Sequence, residues 1–182
     1  EQPVVVHPRG FRAYVCSEAF FQAIPLILQK APQARFRCAA MAREPQALQW
    51  IKELHIEEAV ELLPPLPHAG MGEVFRSAQV VVSPTRHDGT PNSLLEGMAC
   101  GCFPVAGDLE SIREWITPGR NGLLFDPNDS QSIAAAIVHA IEDKNLRGSA
   151  AGLNQEIISA RAGYAGNMQR AEEYYNVFVR NR

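Results

Sequence analysis

The sequence predicts an α/β domain: three layers, α/β/α, around a mostly parallel sheet of about six strands. Three observations carry this expectation. Short apolar runs alternate with helical stretches along the whole chain. The runs, such as Val80-Val81-Val82, are apolar on both faces, as strands covered on both sides must be. The 182 residues are 46% hydrophobic and 20% charged, enough for a single domain with its own core.

In order, strands are expected at 3–7, 35–40, 59–63, 79–83, 103–106 and 122–125. Between the first two, Phe20, Ile24, Leu28 and Ala31 recur at helical spacing, and Phe21 and Ile27 widen the apolar stripe. Further helices are expected at 44–54, 69–78, 91–100, 108–116 and 129–143. The tail, 146–182, reads as helical and more polar, with Tyr174, Tyr175, Phe178 and Val179 forming a stripe that would favour self-association if left open. Ligands of such sheets bind outside the C-terminal ends of the strands.

Bulk properties remove several classes. A net charge of −3 and a pI near 6.0 with no basic stripe argue against nucleic acid. There is no run of apolar residues long enough to cross a bilayer, and Glu1-Gln2-Pro3 leads straight into a strand with no signal peptide. Cysteines 16, 38, 100 and 102 form no CxxC pair and have no histidine at ligand spacing, so no zinc site is expected, and reduced thiols fit a cytoplasmic protein. No G-x-G-x-x-G follows the first strand, which excludes a dinucleotide-dependent dehydrogenase.

The most informative segment runs from Ser83 to Gly101. It reads as a strand end, a turn of unusual backbone geometry at Gly89, and a helix capped by Thr90 with Pro91 in its first position. Gly101 stands where a helix terminates in the left-handed conformation. Amides from Thr90 to Leu94 would face the crevice above the sheet, an anion site. Glu96 follows Ser93 and Asn92 by three and four residues, so the three share a face, while Leu94, Leu95 and Met98 turn to the sheet. Phosphate at the helix start and a carboxylate one turn on describe a nucleotide site, with sugar hydroxyls on the acid.

The frame Ser-Pro-x-x-x-Asp-Gly, with Glu96-Gly-Met-Ala-x-Gly after it, resembles the C-terminal, donor-binding domain of retaining glycosyltransferases of the GT-B fold, the large group 1 family. Pro104-Val105-Ala106, Glu114, Asn121-Gly122-Leu123-Leu124 and Asp126-Pro127 continue the resemblance. It implies a Rossmann-like domain, one half of a GT-B fold, with residues 1–182 forming a single nucleotide-sugar-binding domain and the N-terminal acceptor domain absent. By the same resemblance Glu96 binds the ribose hydroxyls, and Asp88, where the family usually carries Glu, is the catalytic acid beside the transferred sugar. Gly89, Thr90, Pro91, Asn92 and Ser93 meet the distal phosphate.

Where the family has Gly-Arg and then Lys-Gly after the first strand, this chain has His7-Pro8-Arg9-Gly10-Phe11-Arg12, so Arg9 and Arg12 stand in as cations for the diphosphate. Arg86 and His87 face the same crevice, and His87 is a candidate contact to sugar or phosphate. The base is expected between 41–43 and 64–67, a slot of Met and prolines. Glu110-Ser111 replaces the usual Gly-Gly, removing a permissive stretch of backbone. No cofactor or metal is implied, since the arginines and helix amides neutralise the diphosphate. The partners implied are a nucleotide-sugar donor, the missing N-terminal domain and an acceptor glycan or lipid-linked sugar, in the cytoplasm or peripheral to the membrane. A non-catalytic nucleotide-binding module and a GT-B sugar-nucleotide epimerase are the alternatives.

Overall fold

The computed structural model describes residues 2–180, with side chains as far as Asn176. Six strands form one sheet in the order β3-β2-β1-β4-β5-β6, every pair parallel. They are β1 Val4–His7, β2 Arg35–Cys38, β3 Val60–Leu62, β4 Val80–Ser83, β5 Phe103–Gly107 and β6 Leu123–Phe125. The order reverses between β1 and β4, and at such a switch point two loops part and leave a crevice at the C-terminal ends of the strands.

Strand alternation divides the core in two. Val80 and Val82 face one side of the sheet with Phe20, Phe21, Ile24, Phe36, Ile133 and Ile137; Val81 faces the other with Phe75, Leu94, Met98, Ile112 and Ile116. The first side is covered by α1 (Ser17–Lys30) and α6 (Ser130–Glu142), which pack on each other. The second is covered by α3 (His68–Arg76), α4 (Asn92–Ala99) and, on α4, α7 (Lys144–Arg161). Each fully buried Phe, Ile or Leu contributes about 1.5–3 kcal/mol by leaving water.

Several boundaries differ from the sequence reading. β2 stops at Cys38 because Ala40 turns the chain with a left-handed φ of 57°. α2 (Pro45–Glu53) lies within its expected range, but α5 is only Glu110–Arg113. The helical tail is two helices, α7 and α8 (Tyr164–Arg180). On α8 Tyr174 and Tyr175 are exposed, as are Tyr164 and Met168, whereas Phe178 and Val179 lie outside the described side chains. Among the described residues, no helix is long and apolar enough to cross a membrane.

α4 ends as expected and begins differently. Gly101 has a φ of 93°, Cys102 N–H donates to the Gly97 carbonyl at 2.9 Å and Gly101 N–H to Met98 at 3.1 Å, the paired bonds of a Schellman stop. At the other end Thr90 is exposed and caps nothing. Pro91 is itself the cap residue, its carbonyl accepting from Leu94 and Leu95 at 2.9 and 3.0 Å. Nor does Gly89 adopt a left-handed backbone: the positive-φ glycines are Gly101 and Gly119. A Cβ at Gly89 would meet nothing within 4 Å, so the position is open space over the loop, not a conformational requirement.

Candidate functional site

The crevice is framed by the loops after β1 and β4, which are tied together. Cys16 N–H donates to the Pro84 carbonyl at 2.7 Å, Arg86 N–H to Tyr14 at 3.0 Å, and Val15 and Thr85 form an antiparallel bridge. β5 closes against the same loop, where Gly107 lies so near that a Cβ would stand 2.3 Å from the Thr85 carbonyl oxygen. Ser111, on α5, donates its hydroxyl to the Asp88 carbonyl at 2.8 Å. The serine read as a loss of flexible backbone therefore holds the acid-bearing loop.

Three of the expected residues meet at the start of α4. Arg9 Nη2 lies 2.8 Å from Asp88 Oδ2, with 17% and 8% of the two side chains exposed. Arg9 Nε also donates to Ser93 Oγ at 2.9 Å. The Asp88 oxygen accepts no aligned hydrogen bond, so its partner is the guanidinium charge rather than a specific N–H. Asn92 N–H is spent on the Thr90 carbonyl and Leu94 N–H on Pro91, leaving the amides of Gly89, Thr90 and Ser93 without an acceptor among the described residues. The anion-facing donors are thus fewer than the sequence implied.

His7, at the end of β1, is completely buried against Phe20, ring centroids 4.9 Å apart. Its Nδ1 accepts from Arg9 N–H at 3.4 Å and its Nε2 has no hydrogen-bond partner among the described residues. Burial, with a smaller push from the Arg9 charge, pulls the imidazole from 6.5 down to about 4, so it stands neutral under the site. Sequence reasoning placed His7 in the strand and missed this role as a neutral floor; a single apolar run ending in His gives no signal for it.

One turn along α4, Glu96 is 42% exposed by side chain and shares its face with Ser93. His68 Nε2, from the first residue of α3, is 3.6 Å from Glu96 Oε1. His68 was not foreseen, since the expected helix began one residue later. Between the loops after β2 and β3 lies a slot of about 410 Å³ lined by Ala40, Ala42, Arg43, Glu44, Pro64 and Pro65. Met41 does not line it: the side chain is fully buried in the core, because the turn at Ala40 points Met41 inward.

Arg12 does not join Arg9. Its Nη1 donates to the Phe11 carbonyl at 2.7 Å and it lines a different cleft, on the α1 side of the same loop, with Arg86. His87 is exposed and, among the described residues, makes no hydrogen bond or ion pair with these groups.

The chain is thus an α/β domain with a parallel sheet, a crevice at its switch point, an arginine at a helix start and a carboxylate one turn along. The sequence profile of the group 1 glycosyl transferases matches residues 3–143. The chain belongs to that family. It is 25% identical over 169 residues to a D-inositol 3-phosphate glycosyltransferase of Thermobispora bispora, covering 87% of this chain and 39% of that protein. It is 31% identical over 82 residues to an O-antigen chain mannosyltransferase B of Escherichia coli, covering 45% of this chain and 21% of the relative. The chain thus spans about two fifths or less of these relatives. Among solved structures, the C-terminal domain of the group 1 family protein LpcC of Francisella tularensis superposes with a TM-score of 0.76 at 21% identity, covering 89% of this chain and 86% of that one. HepE of Anabaena, in complex with UDP-glucose, gives 0.83 at 24% identity, covering 95% and 48%. The fold is therefore that of one half of a GT-B enzyme.

Proposed function

We propose that this chain is the donor-binding half of a retaining glycosyltransferase, holding a nucleoside-diphosphate sugar for transfer to a glycan or lipid-linked acceptor. The observation that carries it is the Arg9–Asp88–Ser93 cluster at the start of α4 with Glu96 one turn along the same face. The diphosphate takes Arg9, the free amides of Gly89, Thr90 and Ser93, and the adjoining Asn92 side chain. Charge-assisted pairing to a guanidinium and a helix start replaces a metal ion. The ribose diol pairs with the two Glu96 oxygens, beside His68, and the base enters the slot between Ala42 and Pro64. Asp88 faces the sugar, where negative charge stabilises an oxocarbenium-like transition state. The complex of HepE with UDP-glucose supports a sugar nucleotide as the ligand class.

The acceptor side belongs mainly to a second domain outside this sequence, so the isolated domain binds donor and does not transfer. Such a two-domain enzyme works in the cytoplasm or at the membrane face where lipid-linked sugars are built. The test is thermal denaturation with UDP, GDP, ADP and their sugar conjugates, on wild type and Glu96→Ala. Ligand at about a hundred times Kd adds about 2.7 kcal/mol, a shift of about 5–10 °C for a domain of this size. One nucleotide should shift wild type and spare the variant. Equal shifts in both, or none with any nucleotide, would overturn the site.

A further inference from the structure

A second cleft, of about 480 Å³, opens on the α1 side of the β1 loop, and no step of donor binding uses it. Phe11, Arg12, Ser17, Glu18, Trp50 and Arg86 line it. We propose that it is a carbohydrate site, taking a saccharide unit that carries one anionic group, a phosphate or a carboxylate.

Four features point to that chemistry. The first is an unpaired pair of cations. Arg12 donates to the Phe11 carbonyl at 2.7 Å and Arg86 Nη2 to the Ala13 carbonyl at 2.8 Å; neither has a carboxylate partner among the described residues, unlike Arg9, Arg37 and Arg113. One bond each fixes the two guanidiniums and leaves most of their five donors free. The second is the start of α1, whose cap residue Cys16 makes no side-chain cap bond: Ser17 N–H donates to the Val15 carbonyl at 2.9 Å, and the amides of Glu18 and Ala19 lack partners among the described residues. Beside them Ser17 is 3% exposed and its buried Oγ has no hydrogen-bond partner among the described residues. A buried hydroxyl without a partner at the edge of a cleft is costly unless a ligand satisfies it.

The third is an aromatic wall. Phe11 stacks on Trp50 with centroids 5.6 Å apart and planes at 21°, which leaves no gap between the rings for a flat base but offers apolar surface to the face of a sugar ring. The fourth is the mixture of acceptors with donors. The Glu18 carboxylate, which accepts from Gln22 at 3.3 Å, and the side-chain oxygen Asn128 Oδ1, which accepts from Cys16 Sγ at 3.7 Å, border the same space. A simple anion would be repelled by Glu18. Sugar hydroxyls, which both donate and accept, use the acid and the amides, and one negative charge balances two arginines against one glutamate.

The site adjoins the donor crevice: Arg86 is two residues before Asp88, and one loop carries both Arg9 and Arg12. Its occupant is then the unit next to the transferred sugar. That placement rests on the proposed donor reading; the binding does not.

The test is amide and indole NMR of this chain titrated with glucose 1-phosphate, glucuronate, glucose and inorganic phosphate. The chain has two tryptophans, and a Trp115→Phe spectrum assigns the Trp50 indole. Glucose 1-phosphate or glucuronate should move Trp50 and the amides of Cys16–Ala19 saturably while Trp115 stays, and which of the two binds names the anionic group. Glucose, and phosphate alone, should bind about tenfold more weakly, and so should both sugars to Arg12→Ala/Arg86→Ala or, if that unfolds, to the glutamine pair. Glu96→Ala should bind as wild type does, so a failed donor site leaves this result intact. No saturable shift, a shift confined to α4, or binding indifferent to the two arginines would overturn the proposal. Phosphate binding as tightly as the sugars would reduce the cleft to an anion hole and overturn the carbohydrate assignment.

Discussion

Removing Arg9 should destabilise the ligand-free domain, and removing Asp88 with it should restore most of the loss. The Arg9–Asp88 contact is 2.8 Å long, with 8% of the acid and 17% of the arginine side chain exposed. Arg9→Ala leaves a carboxylate whose inner oxygen has no other partner. Breaking a fully buried pair costs about 3–5 kcal/mol, whereas exposed pairs contribute about 0.2–1 kcal/mol. This pair stands nearer the buried limit, so Arg9→Ala should cost about 2–3 kcal/mol, a fall of about 4–12 °C in Tm. Asp88→Asn keeps the shape and frees an arginine that still reaches Ser93 and water, costing about 1 kcal/mol. Urea unfolding of the four members of the cycle should give a coupling of about 2–3 kcal/mol, with the double variant close to Asp88→Asn. The same series read with nucleoside diphosphate should show Arg9→Ala weakening Kd by about 10–100-fold while Asp88→Asn tightens it, because the phosphates no longer compete with Asp88 for Arg9. A coupling below about 0.5 kcal/mol would refute the reasoning, since the pair would then be an ordinary surface contact.

Two further outcomes follow from the scaffold of the site. His7 is neutral when folded, at about 4 against 6.5 unfolded, so its contribution is complete above 6.5 and is lost as the pH falls toward 4 while the unfolded chain takes up the proton; near pH 5 the loss is about 2 kcal/mol, and urea unfolding of His7→Gln should lack that part of the slope. Gly107→Ala would drive a Cβ against the Thr85 carbonyl, a backbone atom that cannot swing aside, so a loss of about 2–4 kcal/mol and of nucleotide-induced stabilisation is expected; a variant with wild-type Tm would mean the loop is free to move.

What could be read from the chain follows from where the physics is local. Val80-Val81-Val82 and Phe103–Ala106 are legible as strands because complete burial demands an unbroken apolar run. Gly101 is legible because a helix stop needs positive φ. The start of α4 misleads because Thr90 has the chemistry of a cap, yet the carbonyl that closes the first turn belongs to Pro91. Arg9 and Arg12 look equivalent in sequence; they part because Cys16 and Arg86 tie the second half of their loop to β4, turning Arg12 to the α1 side. Met41 reads as a slot residue only until Ala40 is known to reverse the chain. The arginine miss is a side-chain direction set by a tertiary contact, and the other two turn on backbone conformation at Pro91 and Ala40 that residue type does not announce.

The way Asp88 is held bears on how donor binding and acid positioning coexist. If Arg9 alone placed the acid, a diphosphate that captures Arg9 would also release Asp88. The backbone arrangement removes that conflict. Ser111 fixes the Asp88 carbonyl, Val15 and Tyr14 fix Thr85 and Arg86, and Gly107 lets β5 press on the same loop. Arg9 pairs with the acid and Ser93, and on the proposed donor reading it would exchange these partners for phosphate. In the proposed donor complex, Asp88, relieved of its counter-ion but kept in place, would then present its charge to the sugar. Substituting Asp for the longer Glu fits this design: a short acid held through its own carbonyl needs little side-chain ordering, and the Ser111 hydroxyl supplies the anchoring that a flexible Gly-Gly segment could not.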